Sequence, residues 1–415
     1  MQVRRKRNSI KKNFSWNLLG SVIFAATQWL LIIALTRLGS VEMVGYYSLG
    51  LAITSPIILF TNLQLRVLQA TAKEDEYQFQ DLVATRNVTN VIFFTLLIIY
   101  LSIGNYDKYI FFIVLITGLI KVTESFSELT YGLFHQQERL ELIAKSTILR
   151  GCSILFTVVI LLILKLDLVY ILFSIVLVNV MIFIFYDNKN LHLFNRKYVA
   201  HYSKNIYKII ITALPLGLSL LLVSLNNNLP KIFVEKILNT EQLGFFASIT
   251  YLVYIGSTLI NSIGNALLPR MAKSIENRAY TSFKKQLYFL VILSFVVGSV
   301  ILIISYLFGE ELLTIIYGNQ FRAYKDLLVL IMLYGLLNYI SRSMIVGLNS
   351  LKNFKVQPYL GVIWLIVLLF SLARLLPEYG LNGAGLSLII YAFSRIVTIF
   401  IVLAVTFRKI KEGER

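Results

Sequence analysis

The sequence is poor in nearly everything enzyme chemistry uses. Its 415 residues include one cysteine, three histidines and 21 Asp and Glu. The lone Cys152 lies inside an apolar run, so no disulfide closes within the chain. His135, His192 and His201 fall in segments read as polar connections. That leaves no metal-ligand spacing, and no Cys–His or Ser–His–Asp set for a buried site. The GxxxxGK[ST] phosphate loop is missing, which excludes an ATP site of that kind. Neither a catalytic group nor a cofactor is expected.

Charge is scarce too. Charged residues are 14% of the chain and hydrophobic ones 57%, whereas average soluble domains carry about 25% charged residues. A soluble fold of this length could not solvate so apolar a surface. The net charge of +18 does not point to nucleic acid. The basic residues are spread between apolar runs and are not gathered on one soluble face.

What is present is a series of apolar runs of about 20 residues, each long enough to cross the roughly 30 Å hydrocarbon core of a bilayer. The reading is an all-α integral membrane protein with about twelve spans. They lie near residues 14–36, 44–65, 88–104, 108–130, 146–165, 168–186, 207–229, 242–268, 286–308, 325–347, 358–376 and 382–407. The first run follows basic residues, as in a secretory leader, but it exceeds the 7–15 residues of a leader's apolar core. It is read as an uncleaved span. Odd-to-even connections are short: SVEM, IGNYDK, LKLD and LPEYGLN. The even-to-odd connections and the two termini hold most of the 39 Lys and Arg. The positive-inside rule then puts both termini in the cytoplasm. The N-terminal RRKR and KK groups are expected against anionic headgroups of membrane lipids.

Residues 35–50 read LTRLGSVEMVGYYSLG, and residues 234–249 read VEKILNTEQLGFFASI. Both run through a cation (Arg37, Lys236), a small polar residue (Ser40, Thr240), a carboxylate (Glu42, Glu241), a glycine (Gly45, Gly244) and an aromatic pair. Ser40 or Thr240 is placed to cap the next helix, with the carboxylate in its positive first turn. The glycines permit close helix approach. Arg86 and Lys285 continue the correspondence. Six spans return the chain to its starting side, so the halves 1–200 and 201–415 are read as parallel repeats, a transporter device.

The repeated turn, ALPLGLSLLLVSLNNNLPKIFV, NALLPRMA, YGNQFRAYKDLL and YGLNGAGLSLI occur in this order over nearly the whole chain. In these it resembles the polysaccharide transport family of the multidrug/oligosaccharidyl-lipid/polysaccharide exporters, which includes flippases for O-antigen and capsule repeat units. The resemblance implies two six-helix lobes around a central cavity and transport by alternating access. It implies a polyprenyl-diphosphate-linked oligosaccharide as substrate, moved to the outer leaflet of the bacterial cytoplasmic membrane, where a membrane polymerase joins the units.

Ionisable residues at membrane depth are functional candidates by default. Arg395, Arg342, Lys121, Arg37, Lys231 and Lys236 are the candidate cavity cations. Arg395, near the middle of span 12, either lines the cavity or is bonded within its own lobe. Arg37, Lys231 and Lys236, with Arg374, gather at outer span ends, as an exit ring for an anionic headgroup or as interface anchors. Lys121, Glu124 and Glu128 share one face of span 4, either as a self-neutralising ladder or with Glu124 and Glu128 coupling an ion. Arg66 and Arg150 are expected to snorkel. Asn226 and Asn227, followed by Pro230, are unusual for a lipid-facing helix, since proline removes a backbone donor. Gln28, Asn62, Asn261, Asn265 and Tyr251, with Tyr254, complete a polar and aromatic set suited to sugar. For Asn261 and Asn265, helix–helix bonding is the competing role.

Two other classes are weighed. A cation-coupled multidrug antiporter of the same fold needs embedded carboxylates, and spans 1 and 2 have none. A membrane enzyme needs a large external loop or an embedded catalytic residue, and neither is apparent.

Overall fold

The computed structural model describes residues 10–71 and 77–412. The RRKR group expected at lipid headgroups lies outside them, as do the side chains of Lys11 and Lys12. Among the described residues there is no strand. The elements are α1 (Ile10–Leu38), α2 (Val41–Thr61), a short α3 (Leu65–Thr71), α4 (Phe79–Ile103), α5 (Lys108–Gln136), α6 (Leu140–Ile163) and α7 (Leu168–Ile182). A π-helical turn, Phe183–Asn188, and a single turn, α8 (Lys189–Leu191), follow. Then come α9 (Asn205–Ile237), α10 (Thr240–Glu276), α11 (Tyr280–Tyr317), α12 (Lys325–Ser350) and α13 (Gln357–Lys411).

Eleven helices among the described residues are long and apolar enough to cross a membrane. The last has 55 residues, or about 82 Å at 1.5 Å per residue, more than twice the hydrocarbon core. It is two spans in one helical stretch. Gly380 breaks it with φ 56° and ψ −138°, a conformation closed to residues with a Cβ. That is the LPEYGLN turn expected between spans 11 and 12. α11 is broken likewise at Phe308, the expected end of span 9. The residues beyond Phe308 are helical, where the sequence reading expects loop.

The first repeated turn is capped as expected, with Ser40 Oγ accepting from the Met43 N–H at 3.1 Å. The second differs. Asn239, not Thr240, caps α10, its Oδ1 accepting from the Gln242 N–H at 2.8 Å. Both serve the same need, since the first N–H groups of a helix have no partner within it. Arg86 and Lys285 do not match in setting, because Arg86 is fully buried and Lys285 is exposed. His135 lies on the last turn of α5 and His192 on a 3-10 turn, not in open loops.

The chain divides into two compact units, one ending at Ser224 and one beginning at Leu225. The division falls inside α9. Ile209 and Ala213, on the first part of that helix, belong to the apolar cluster of the N-terminal unit with Leu63, Phe79, Leu129 and Phe134. Large apolar side chains such as Phe370 and Phe156 face outward, as lipid as solvent allows. Lipid offers no hydrophobic drive between helices, so close packing and hydrogen bonds hold them together. Ser294 and Ser343 meet at 2.6 Å, and Tyr131 and Ser146 at 2.6 Å.

Candidate functional site

The C-terminal unit contains a small polar cavity. α9 supplies Asn226, Asn227, Pro230 and Lys231, and α12 supplies Tyr334, Asn338 and Arg342. Phe246, Thr250, Val253, Tyr254 and Ser257 come from α10, and Leu388 from α13. The spacings are helical. Tyr334, Asn338 and Arg342 stand four apart and so share a face, as do Phe246, Thr250, Tyr254 and Ser257. Pro230 has no N–H, so the helical bond to the Asn226 carbonyl cannot form. Asn226 instead ties its helix across the unit, its Nδ2 donating to the Gly361 carbonyl at 3.2 Å.

The cavity is cationic. Lys231 is buried, with its ammonium 6.0 Å from the centroid of the Tyr251 ring. Arg342 is half-buried, its Nη1 donating to Asn261 Oδ1 at 3.4 Å. Among the described residues lining the cavity there is no Asp or Glu. Two positive groups in a buried space without a lining counter-charge favour an anionic occupant. The amides, hydroxyls and Tyr rings around them suit a polar, hydroxylated one.

Arg395 does not line this cavity. It stands behind it, 7% exposed, its Nη1 donating to Asn338 Oδ1 at 2.9 Å. Its guanidinium lies 5.1 Å from the Trp364 ring centroid and 5.4 Å from that of Tyr391. Of the other candidates, Asn226, Asn227, Lys231 and Arg342 line the cavity, and Asn261 and Tyr251 contact its cations. Asn265 and Lys236 are exposed and take no part in its lining. Asn338 and Tyr334 are site residues that the sequence reading misses. The four-residue spacing that leads from them to Arg342 is the available signal.

The N-terminal unit holds the remaining candidates in a different arrangement. Lys121 and Glu124 pair at 2.9 Å. Glu128 accepts from Asn62 Nδ2 at 3.4 Å, and Asn62 Oδ1 accepts in turn from Arg86. Gln28 is half-buried on α1, and Arg37 is exposed near the C-terminal end of that helix. Arg150 does not snorkel. It is 4% exposed, 3.4 Å from Asp187, and it donates to Ser127 Oγ at 2.5 Å. Hydropathy places Asp187 just past span 6, but the π-helical turn carries the helix on and buries its carboxylate completely. Arg66 packs its guanidinium over the Tyr131 ring, 5.6 Å from the centroid.

Residues 10–275 match the sequence profile of the polysaccharide biosynthesis proteins. The chain belongs to that family. A capsular polysaccharide biosynthesis protein, CapF of Staphylococcus aureus, is 28% identical over 402 residues, covering 94% of this chain and 98% of the relative. Among solved structures, the lipid II flippase MurJ in an inward closed conformation superposes with a TM-score of 0.76 at 12% identity. The match covers 96% of this chain and 89% of MurJ. The MATE transporter VcmN of Vibrio cholerae, in its bent form, gives a TM-score of 0.62 at 13% identity over 96% of both chains. The fold is therefore the one seen in these membrane transporters and flippases, and the chain is a multi-pass membrane protein.

Proposed function

We propose that this protein is a flippase for polyprenyl-diphosphate-linked oligosaccharide repeat units. It moves them from the inner to the outer leaflet of the cytoplasmic membrane by alternating access, with both termini in the cytoplasm. A membrane polymerase then joins the units. The observation that carries this reading is the cavity of the C-terminal unit, with Lys231 and Arg342 and, among the described residues, no carboxylate in its lining. Those cations suit a diphosphate, and the surrounding amides and Tyr rings suit the adjoining sugar. A carrier of cationic drugs would need the reverse polarity. The N-terminal carboxylates that such a carrier would use are engaged, Glu124 by Lys121 and Glu128 by Asn62. Membership of a polysaccharide biosynthesis family supports the substrate class.

The test is the leaflet distribution of lipid-linked oligosaccharide in host cells with and without the protein. Accumulation on the cytoplasmic leaflet in its absence, reversed by its return, is expected. An unchanged distribution would move the assignment to a cation-coupled antiporter and make Glu124 and Glu128 the residues to test.

A further inference from the structure

A second concave site lies at one end of the C-terminal unit. Gln242 reaches it from the first turn of α10, and Tyr324 and Asp326 from the entry to α12. Tyr379, Leu381 and Asn382 come from the two sides of the Gly380 break. Three connections far apart in the sequence converge on it, each bringing a planar polar group or an aromatic ring.

The residue types specify the ligand. Gln242 and Asn382 each offer an amide donor and acceptor, and Asp326 offers two acceptor oxygens. Vicinal hydroxyls are bonded by such planar pairs. Tyr324 and Tyr379 present ring faces that take an apolar sugar face. Among the described lining residues there is no Lys or Arg, and the Asp326 carboxylate opposes an anion. Phosphate and acidic sugars are therefore disfavoured. Part of the site is rigid: the Tyr324 ring stacks on Phe245 with centroids 4.2 Å apart, and its hydroxyl accepts from Gln242 Nε2 at 3.3 Å.

The site continues from the cationic cavity along shared helices. Gln242 precedes Phe246 by one turn, about 6 Å along α10. Asp326 precedes Tyr334 by about 12 Å along α12, and Leu381 precedes Leu388 by about 10 Å along α13.

We propose that this pocket binds neutral saccharide and engages sugars of the repeat unit beyond the one attached to the diphosphate. The assignment to a repeat unit rests on the flippase reading above. The saccharide site itself is tested without transport.

The test uses purified full-length protein in nanodiscs and saturation-transfer difference NMR. The probes are neutral disaccharides of hexose and of N-acetylhexosamine. Transfer to the sugar ring protons is expected with the wild type. It should fall about fivefold in Tyr379→Ala and in Asn382→Ala, the effect of one lost contact of about 1 kcal/mol. Both side chains are exposed, so these variants should keep the fold, which thermal elution profiles check. Gln242→Ala should give a fall of similar size. Added inorganic diphosphate should not compete. Absence of transfer with the wild type would overturn the proposal. So would equal transfer in the pocket variants, or loss of the signal on adding inorganic diphosphate. The leaflet assay judges the flippase reading separately.

Discussion

Arg395 holds the amide of Asn338 in one orientation. A guanidinium only donates hydrogen bonds, so the oxygen of Asn338 must face Nη1 of Arg395, 2.9 Å away. Asn338 Nδ2 is then turned from Arg395, on a residue that lines the cavity. Trp364 and Tyr391 pack against the guanidinium. Arg395 is thus a positioning residue for a cavity donor.

Arg395→Ala should lower flipping at least about tenfold, a loss of about 1.4 kcal/mol, at normal protein yield. Arg395→Lys should recover only part, since an ammonium lacks the planar face that stacks on rings. Asn338→Asp separates positioning from packing. It gives Arg395 a carboxylate partner but puts an acceptor where a donor faced the cavity. Thermal stability should hold while flipping is lost. The leaflet assay and a melting curve in detergent read both. Normal flux in Asn338→Asp would remove this amide from the mechanism.

The two cavity cations should act on substrate binding. Lys231→Glu and Arg342→Glu reverse the local charge and should each abolish accumulation of oligosaccharide on the outer leaflet. Lys231→Arg, which keeps the charge, should retain most of it. Activity in both reversals would place the diphosphate elsewhere.

The Arg150–Asp187 pair should contribute to stability. Removing one partner of a buried ion pair leaves an uncompensated charge and costs about 3–5 kcal/mol. Asp187→Ala should therefore lower the melting temperature of the purified protein markedly. Replacing both by apolar residues, as Arg150→Met with Asp187→Leu, should cost less than Asp187→Ala alone. The same melting temperature for Asp187→Ala and wild type would contradict the pairing.

Helix α10 approaches α12 closely at Gly256. A Cβ added there would come within 2.2 Å of the Tyr339 hydroxyl oxygen. That hydroxyl is buried and donates to the Val253 carbonyl at 3.0 Å. Gly256→Ala should reduce the yield of folded protein by displacing Tyr339, and adding Tyr339→Phe should restore part of it. Elution profiles of the wild type and the two variants give the comparison. No recovery in the double variant would mean that the Tyr339 ring carbons Cζ and Cε2, which the added Cβ also crowds, set the distance rather than the hydroxyl.

Much of the architecture was legible because membrane spans are written in continuous stretches. Runs of about 20 apolar residues, the short LPEYGLN connection and the Ser40 cap are local features, and local physics decides them. The membership of Asn226, Asn227, Lys231 and Arg342 in a polar site was legible for a related reason. Amides and cations inside apolar helices are costly unless they face protein or a cavity, so their presence marks the inward faces.

The partners of those residues were not legible. Whether Arg150 snorkels or is buried depends on the π-helical turn that brings in Asp187, and the turn is not encoded in hydropathy. Whether Arg395 lines the cavity or stands behind Asn338 depends on how α12 and α13 pack. Arg86 and Lys285 are paired by sequence spacing, yet one is buried and the other exposed, because the neighbours that cover them differ. The sequence by itself determined the class of the protein, its spans and the positions of its intramembrane polar groups, since each follows from the cost of placing a given residue in lipid. Only the tertiary structure decided which of those groups meet. Hydrogen bonds and ion pairs within the membrane join residues many positions apart, at distances of about 3 Å that no sequence spacing specifies.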